Sequence, residues 1–367
     1  MHKIILISWL TTLTTLNSFA ETIKIKPSDS AVVVAKKADA IKLFAADELA
    51  KHLTLISGVK VPVVKGKVPA GKYCFVITAT DKKLKPEQAV FEVTPEKTLF
   101  YGDDLVGQKG TPDAVATSKR SRTGSLFAVY LFLEKELGVS WIKPGADGII
   151  FKPRKELSLM TGTFSWTPKL TMRHIRPGYS RHKSKGAPKD FQDSAKKRAE
   201  KQMATRIWLK RMKMGRSQVF GYGHAFTKWW EQYGKEHPEY FALNERGKRA
   251  PFHANKPDRI KLCVSNPEVH KQIVANFMKS RRGSTVINTC ENDSGNYCEC
   301  AKCRALDAPP KKGHKWDEDL TDRYIWFANH VQRLARKQVP GTQSIMYAYS
   351  VYRFPPRKVK VDDGVIL

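Results

Sequence analysis

The residues best suited to chemistry lie in one short stretch of this sequence. A strand-like run, Thr285 to Cys290, ends in Glu291-Asn292-Asp293, which puts two carboxylates with an amide between them at the end of a strand. Glycoside hydrolysis needs two carboxyl groups flanking the bond, or one carboxyl group assisted by the N-acetyl group of the substrate. One carboxyl group must keep its proton near neutral pH, which burial or a nearby like charge can arrange. The acidic turn, residues 291–293, is therefore a candidate active site. The alternative is that Asp293 caps a turn or contacts the nearby cysteines.

A cysteine cluster follows the acidic turn directly. The chain has six cysteines, and Cys298-x-Cys300-x2-Cys303 places three of them within six positions. Converging thiolates suit a tetrahedral structural zinc, whereas an oxidising compartment favours disulfides. Cys298 and Cys300 are too close in sequence to pair comfortably with each other. Zinc binding, disulfides to other partners and free thiols are all compatible with this spacing. Either a zinc ion or a disulfide would fix the position of the loop that carries Asp293. The cluster offers no vacant ligand position, so we expect no catalytic metal.

Other side chains are candidates for holding a ligand. His224 ends the glycine-rich run Gly221-Tyr222-Gly223-His224 and could hydrogen-bond a sugar hydroxyl. Trp229 and Trp230 follow it, and aromatic faces can stack on sugar rings. Arg173 and Arg176 could bind a carboxylate or sulfate. For all five side chains, ordinary packing or surface exposure is the alternative interpretation.

The charge is strongly basic. Lys and Arg number 65 against 35 Asp and Glu, a net charge of +30. A nucleic-acid ligand is disfavoured because no zinc-finger spacing, basic zipper or RNA-binding aromatic signature is present. The densest basic stretch, Arg181 to Arg216, has helically spaced apolar residues at Ala195, Ala199, Met203, Ile207, Leu209 and Met214. It is typical of a helix with a solvated basic face. The functional alternative is attraction of a polyanion such as an acidic or sulfated polysaccharide.

The N-terminus is typical of a secretory signal. Met1-His2-Lys3 is basic, Ile4 to Leu16 is apolar and Thr-rich, and Ser18-Phe19-Ala20 suits cleavage after Ala20. We therefore expect an exported protein, periplasmic or extracellular, with no stable membrane insertion once the signal is removed. The alternative is an uncleaved membrane anchor.

The elements that must position these residues form two groups. Residues 22 to 160 alternate short strands with helices, notably Ala40 to Ser57 and Gly124 to Gly138, which predicts a small α/β domain. From about Trp166, strand-like runs alternate with longer helical runs, which predicts a (β/α) TIM-like barrel. The predicted strands are Leu170 to Ile175, Ser217 to Tyr222, Ile260 to Val264, Thr285 to Cys290 and Ser344 to Tyr349, and the helices are Pro267 to Lys279 and Leu320 to Lys337. About five strands in roughly 200 residues, where a whole barrel takes roughly 250, predict an incomplete barrel or a fragment of a longer protein.

Both halves resemble known families. The segments Ala45 to Pro62 and Gly124 to Trp141 resemble the non-catalytic N-terminal domain of bacterial hexosaminidases and α-glucuronidases. Three motifs resemble a bacterial barrel family, domain of unknown function 4838: His237 to Leu243 with Gly247-Lys248-Arg249, Leu262 to Val269, and Asn292-Asp293 with Tyr297 to Asp307. The resemblance implies a barrel and glycoside hydrolysis. It assigns Asp293 as acid or stabiliser, since it matches the family's Asn-Asp position, with Glu291 as its neighbour, and it adds Cys263 to the cysteine cluster.

The sequence therefore predicts a signal peptide at residues 1–20, a non-catalytic α/β domain at 21–163 and a truncated barrel at 164–367. We expect an exported glycoside hydrolase that acts on a polysaccharide or oligosaccharide. The basic charge adds the hypothesis that this substrate is acidic or sulfated. We expect the reaction to require no cofactor. At the cysteine cluster, a structural zinc is the alternative to disulfides. A glycan-binding protein with a degenerate barrel is the alternative from another class. A third reading is a secreted protein whose basic face alone binds polyanions.

Overall fold

The computed structural model describes residues 21–175, 195–218, 220–313 and 315–367. The chain separates into two compact units, Met1–Val219 and Phe220–Leu367. The predicted signal peptide and Arg176 lie outside the described residues, and the domain boundary predicted after residue 163 falls inside a strand of the first unit, Gly162–Trp166. Among the helices of the described ranges, none combines the length and apolar character needed to cross a bilayer.

The first unit is a mixed α/β structure. Its described strands are β1 (Thr22–Ile25), β2 (Ser30–Val34), β3 (Val63–Lys65), β4 (Tyr73–Ile77), β5 (Ala89–Val93), β6 (Lys97–Gly102), β7 (Asp104–Leu105), β8 (Arg122–Thr123), β9 (Ser140–Trp141), β10 (Ile149–Ile150), β11 (Leu157–Met160), β12 (Gly162–Trp166), β13 (Met172–Arg173) and β14 (Gly215–Arg216). Six of them form one sheet in the order β12-β5-β6-β4-β2-β3. The β3-β2-β4-β6 pairs are parallel, whereas β5 pairs antiparallel with β6 and β12.

Helices cover this sheet because their apolar residues are buried against it. The described helices of the unit are α1 (Ala40–Ser57), α2 (Pro112–Ala116), α3 (Gly124–Lys135) and α4 (Ala195–Arg211). Helix α1 begins where the Asp39 side chain accepts hydrogen bonds from the backbone N–H groups of Ile41 and Lys42, at 3.0 and 3.1 Å. It ends at Gly58, whose φ of +72° is left-handed and therefore favours glycine. Helix α3 packs on β5, β6 and α1.

A buried polar network fastens α4 to α1 and α3. Arg211 donates two hydrogen bonds to Glu48, at 2.8 and 3.0 Å, and Tyr130 donates a third at 3.0 Å. Burial alone would raise the pKa of Glu48, but the hydrogen bonds of Arg211 and the nearby positive charges together outweigh burial, and the pKa is lowered. The ring of His52 accepts a hydrogen bond from Trp141 at 3.0 Å and donates to the Glu48 carbonyl oxygen at 2.6 Å. In the described part of the predicted basic stretch a helix forms as α4, whereas residues 181–194 lie outside the described residues. The last two cations of α4, Lys210 and Arg211, are buried rather than solvated.

The second unit carries a parallel sheet. Its described strands are β15 (Val286–Asn288), β16 (Gln343–Ile345) and β17 (Val365–Ile366), and its helices are α5 (Trp229–Tyr233), α6 (Pro267–Ser280), α7 (Ala301–Arg304) and α8 (Thr321–Arg336). The strands lie in the order β15-β16-β17, all parallel. Helices α6 and α8 pack together and bury their apolar stripes in a separate core. Asn266 caps α6 by accepting a hydrogen bond from the Glu268 N–H at 3.0 Å.

Only some of the strands predicted for the barrel are strands of this sheet in the structure. Two of them form, as β15 and β16, whereas the described part of Ser217 to Tyr222 is irregular and Ile260 to Val264 contributes a single bridge, Phe241 to Leu262. The segment predicted as the first barrel strand becomes β13, which pairs antiparallel with β14 in the first unit. The reason is that Arg173 forms an ion pair at 2.8 Å with the buried carboxylate of Glu87 in that unit. The described strands of the second unit do not close into a barrel.

Candidate functional site

The candidate site forms where three segments of the second unit meet. The Ala225 N–H donates to the Cys290 carbonyl oxygen at 2.9 Å, and the Asn288 side chain donates to the Gly223 carbonyl oxygen at 2.9 Å. The third segment, residues 260–263, forms hydrogen bonds with the side chains of Glu291 and Asn292 in the acidic turn. Because β15 and β16 are parallel neighbours, the residues that follow them emerge at the same edge of the sheet.

Asn292 holds the three segments together. Its side-chain oxygen accepts a hydrogen bond from the Phe226 N–H at 3.2 Å, and its side-chain nitrogen donates to the Ile260 carbonyl oxygen at 2.8 Å. The residue is fully buried. Buried backbone groups need such partners, so this amide fixes the shape of the acidic turn.

Glu291 lies inside the protein. One carboxylate oxygen accepts from the Leu262 N–H and the other from the Asn292 N–H, both at 3.1 Å. Burial raises the pKa of Glu291, and the charge of nearby Lys261 opposes that rise. Lys261 is itself buried, which lowers its pKa, and it donates to the Asn292 carbonyl oxygen at 2.6 Å. Glu291 therefore contributes to the support of the turn.

Asp293 lies on the surface at the end of the turn. Its carboxylate accepts a hydrogen bond from the hydroxyl group of Tyr349 at 3.1 Å. Asp293 follows β15 and Tyr349 follows β16, so this bond spans the C-terminal edge of the parallel sheet. Burial, followed by the hydrogen bond to Asp293, raises the pKa of Tyr349 and keeps it a donor. The pair combines an accessible acid with a phenol.

Aromatic rings surround this pair. The Tyr347 ring lies 5.4 Å from that of Tyr349, 6.1 Å from that of Tyr222 and 5.5 Å from the imidazole of His224. Tyr222 and Tyr349 are about 40% exposed. Exposed tyrosines offer both an apolar face and a hydroxyl group, the combination that suits a sugar ring. These tyrosines are not among the residues predicted from the sequence to bind a ligand, although the alternation in Tyr347-Ala348-Tyr349 directly after a strand was the available signal.

His224 lies beside the acidic turn. Its Nδ1 is 2.6 Å from the Glu291 carbonyl oxygen. A carbonyl oxygen only accepts, so Nδ1 carries the hydrogen, and Nε2 of this exposed residue is left to accept. The structure thus brings His224, Glu291 and Asp293 together.

Other residues proposed for ligand binding lie elsewhere. Trp229 is buried between Phe226 and Tyr233, with ring distances of 5.1 and 5.0 Å. Trp230 is half-buried and packs on Phe241 at 5.0 Å. Both tryptophans extend the apolar core because α5 turns its rings inward. Arg173 belongs to the first unit, where it pairs with Glu87.

The four cysteines predicted as a cluster do converge. The sulfur atoms of Cys263, Cys298, Cys300 and Cys303 all lie within 4.8 Å of one another. All six cysteines of the chain are free thiols in the structure. Hydrogen bonds from the Cys298 and Cys303 thiols lower the pKa of Cys263 well below its ordinary value. Four convergent sulfurs are a donor set for a soft or borderline metal ion.

Comparison with solved structures finds hexosaminidases. A chitobiase from Flavobacterium johnsoniae is 12% identical, with a TM-score of 0.36 over 94% of this chain and 53% of that one. A GH20 β-N-acetylhexosaminidase from Streptomyces coelicolor A3(2) is 12% identical, with a TM-score of 0.37 over 90% and 65% of the two chains. A β-N-acetylhexosaminidase from Bacteroides fragilis NCTC 9343 is 11% identical, with a TM-score of 0.33 over 95% and 67%.

This chain thus spans about half to two thirds of the length of those proteins. At these TM-scores and identities, the similarities establish neither a closed barrel nor an activity for it.

No curated protein matches the sequence. A family does match: residues 145–367, more than half of the chain, fit the one described as Domain of unknown function (DUF4838). This range includes the acidic turn and all four clustered cysteines. The chain belongs to the DUF4838 family.

Proposed function

We propose that this protein is an exported glycoside hydrolase that binds a polysaccharide or oligosaccharide at the C-terminal edge of the β15-β16 sheet and cleaves a glycosidic bond there. The observation that carries the proposal is the exposed Asp293 carboxylate, bonded by Tyr349 across the ends of two neighbouring parallel strands. This edge is where (β/α) barrels carry their catalytic groups. On this proposal the second unit is part of such a barrel.

Each side chain then has a distinct role. Asp293 acts as the acid or as the carboxylate that stabilises the oxocarbenium-like transition state. Tyr349 orients it, and His224 offers Nε2 to a sugar hydroxyl group. The exposed tyrosines stack on the sugar. Glu291 and Asn292 hold the turn in place from beneath. No cofactor takes part in the reaction.

A second function has one observation in its favour. Glycosidases commonly use two carboxylates, but the carboxylate of Glu291 is fully buried and bonded to backbone N–H groups. A glycan-binding protein needs the tyrosines and no second carboxylate. Hydrolysis with one protein carboxylate remains chemically complete when the substrate's N-acetyl group assists, so the substrate panel below includes N-acetylated sugars.

The net charge of +30 supports an anionic polysaccharide as the ligand. The N-terminal signal pattern supports a periplasmic or extracellular location. Both parts of the proposal rest on the sequence, and each has a direct test. Binding to sulfated glycans should weaken as salt is added, while binding to neutral glycans changes little. Equal and salt-insensitive binding to both would contradict an acidic ligand.

The activity is tested on the full chain with nitrophenyl glycosides, both N-acetylated and non-acetylated, and with acidic polysaccharides. We expect hydrolysis of at least one substrate, and we expect Asp293→Asn to lower kcat by at least about 100-fold, the contribution typical of a positioned acid or base. Asp81→Asn is the matched control, since Asp81 is exposed in a loop of the first unit.

The outcomes separate the two functions. Full activity in Asp293→Asn refutes the assignment of that residue. Glycan binding that is weakened by Tyr349→Ala, without turnover of any substrate, favours the binding protein over the hydrolase.

A further inference from the structure

Two distances among the four clustered sulfurs equal the edge of a metal tetrahedron, and all four sulfurs lie within 4.8 Å of one another. A zinc ion bonds thiolate sulfur at about 2.3 Å, so two sulfurs on the same tetrahedral ion lie about 3.8 Å apart. The sulfur of Cys263 lies 3.7 Å from that of Cys300 and 3.9 Å from that of Cys303. These distances match the edge of a ZnS₄ tetrahedron.

Other uses of the four cysteines fit this spacing less well. A disulfide brings two sulfurs to about 2.05 Å, whereas the sulfur of Cys263 lies 3.7 Å from that of Cys300 and 3.9 Å from that of Cys303. An iron–sulfur cluster places several iron and sulfide atoms between its cysteines, which pushes their sulfurs farther apart than the 4.8 Å limit seen here. A single ion in the centre fits.

The surroundings suit a negatively charged thiolate centre. The Leu243 N–H donates to the Cys298 sulfur at 3.3 Å, and the Cys303 N–H donates to the Cys300 sulfur at 3.5 Å. The guanidinium group of Arg249 lies beside the sulfurs of Cys263 and Cys300. Four thiolates around a divalent cation carry a net charge of −2, and backbone N–H groups with an adjacent cation stabilise that charge.

We infer that Cys263, Cys298, Cys300 and Cys303 bind one structural zinc ion. All four ligands are protein side chains and three of them are buried, so the site has no position for a substrate or water. The ion joins the segment around residue 263 to residues 298–303, and Arg323 links the same loop to α8 by donating to the Cys298 carbonyl oxygen at 2.9 Å. The zinc thereby closes the loop that begins at the acidic turn. This inference does not depend on hydrolysis.

The test measures metal content in the full chain, purified without chelator and analysed by elemental mass spectrometry. We expect one zinc per chain. Cys303→Ser should lose most of it, and Cys290→Ser should keep it, because Cys290 is a buried cysteine outside the cluster. Folding of each variant is checked by circular dichroism.

A second measurement on the unaltered chain avoids dependence on variant folding. A thiol-reactive mercurial should release the zinc as the cluster thiols are modified. Cobalt(II) exchanged into the protein should show the visible absorption of a tetrahedral thiolate complex. Intact mass spectrometry shows whether disulfides have formed.

Several results would overturn the inference. These are chains that carry cluster disulfides and no zinc, chains with four free thiols that do not bind added zinc, and iron in place of zinc. Zinc retained by a folded Cys303→Ser variant would also contradict the ligand assignment. Loss of zinc with hydrolysis unaffected leaves the inference intact, because the metal is assigned to structure alone.

Discussion

The buried polar network of the first unit and the thiol cluster of the second unit are built on opposite principles. Around Glu48, donors and acceptors alternate: the carboxylate meets the guanidinium of Arg211 and the hydroxyl group of Tyr130. Around Cys263, four side chains of one kind converge. A network of complementary groups is completed by the protein itself, whereas convergent like groups indicate a ligand that is not protein. The chemical types of the side chains that meet at a site therefore distinguish a structural ion pair from a metal site.

The largest expected effect comes from breaking the first network. Arg211→Met should lower the free energy of unfolding by about 3–5 kcal/mol, because it leaves the carboxylate of Glu48 buried without its cation. Denaturant titration followed by circular dichroism measures this loss. The destabilisation should be the same with and without a zinc chelator in the buffer, if that network is independent of metal.

The control for this prediction is Arg333→Met. Arg333 also makes a bidentate ion pair, with Asp362, but the arginine side chain is 57% exposed. Exposed pairs contribute at most about 1 kcal/mol. Equal losses in the two variants would show that burial does not distinguish these ion pairs.

A smaller effect is expected from the support of the acidic turn. Asn292→Ala removes the partners of the Phe226 N–H and the Ile260 carbonyl group, and each buried group left unsatisfied costs about 1–3 kcal/mol. We expect a total loss toward the lower end of the Arg211→Met range, measured by the same titration. Asn255→Ala, at an exposed position, is the control. A stability unchanged by Asn292→Ala would mean that the turn does not depend on its amide.

The smallest effect concerns pH. Burial lowers the pKa of His52 below its ordinary value. The unfolded chain therefore takes up a proton as the pH falls through about 6.5, while folded His52 stays neutral. Folding stability is full above that pH and declines below it, by up to about 1.4 kcal/mol per pH unit, until the pH reaches the lowered pKa.

His52→Gln should reduce this decline, since glutamine can donate and accept as the imidazole does but does not titrate. The measurement compares the free energies of unfolding of wild type and variant at about pH 7 and about pH 5.5. This window lies above the ordinary pKa of Glu48. An equal decline in both proteins would exclude His52 as its source.

The helices could be predicted closely because their signals are local. Asp39 and Gly58 mark the two ends of α1, and the predicted range Ala40 to Ser57 is the observed one. Helix α6 ends one residue later than predicted, and α8 is shorter than predicted by one residue at each end. Capping groups and apolar spacing act within a few residues, so a single sequence contains them.

The strands of the second unit were predicted less well because pairing is not local. The run Ile260 to Val264 has the composition of a strand, yet its backbone is held by Asn292 and by the Phe241 bridge. Leu170 to Ile175 was assigned to a barrel, but the buried Glu87 holds Arg173 in the first unit. Such partners lie about 20 to 90 positions away in the sequence, so a local sequence pattern does not contain them.

Residue type and spacing were enough to identify the acidic turn, His224 and three of the clustered cysteines, Cys298, Cys300 and Cys303, and the family resemblance added Cys263. Which of these side chains are buried, which are exposed and which lie together depended on the tertiary structure. It buried Glu291, exposed Asp293 beside Tyr349, turned Trp229 into the core and brought the sulfur of Cys263 to those of residues 298–303. The physical reason is that solvent access and distance between remote residues depend on packing of the whole unit, which no local pattern contains.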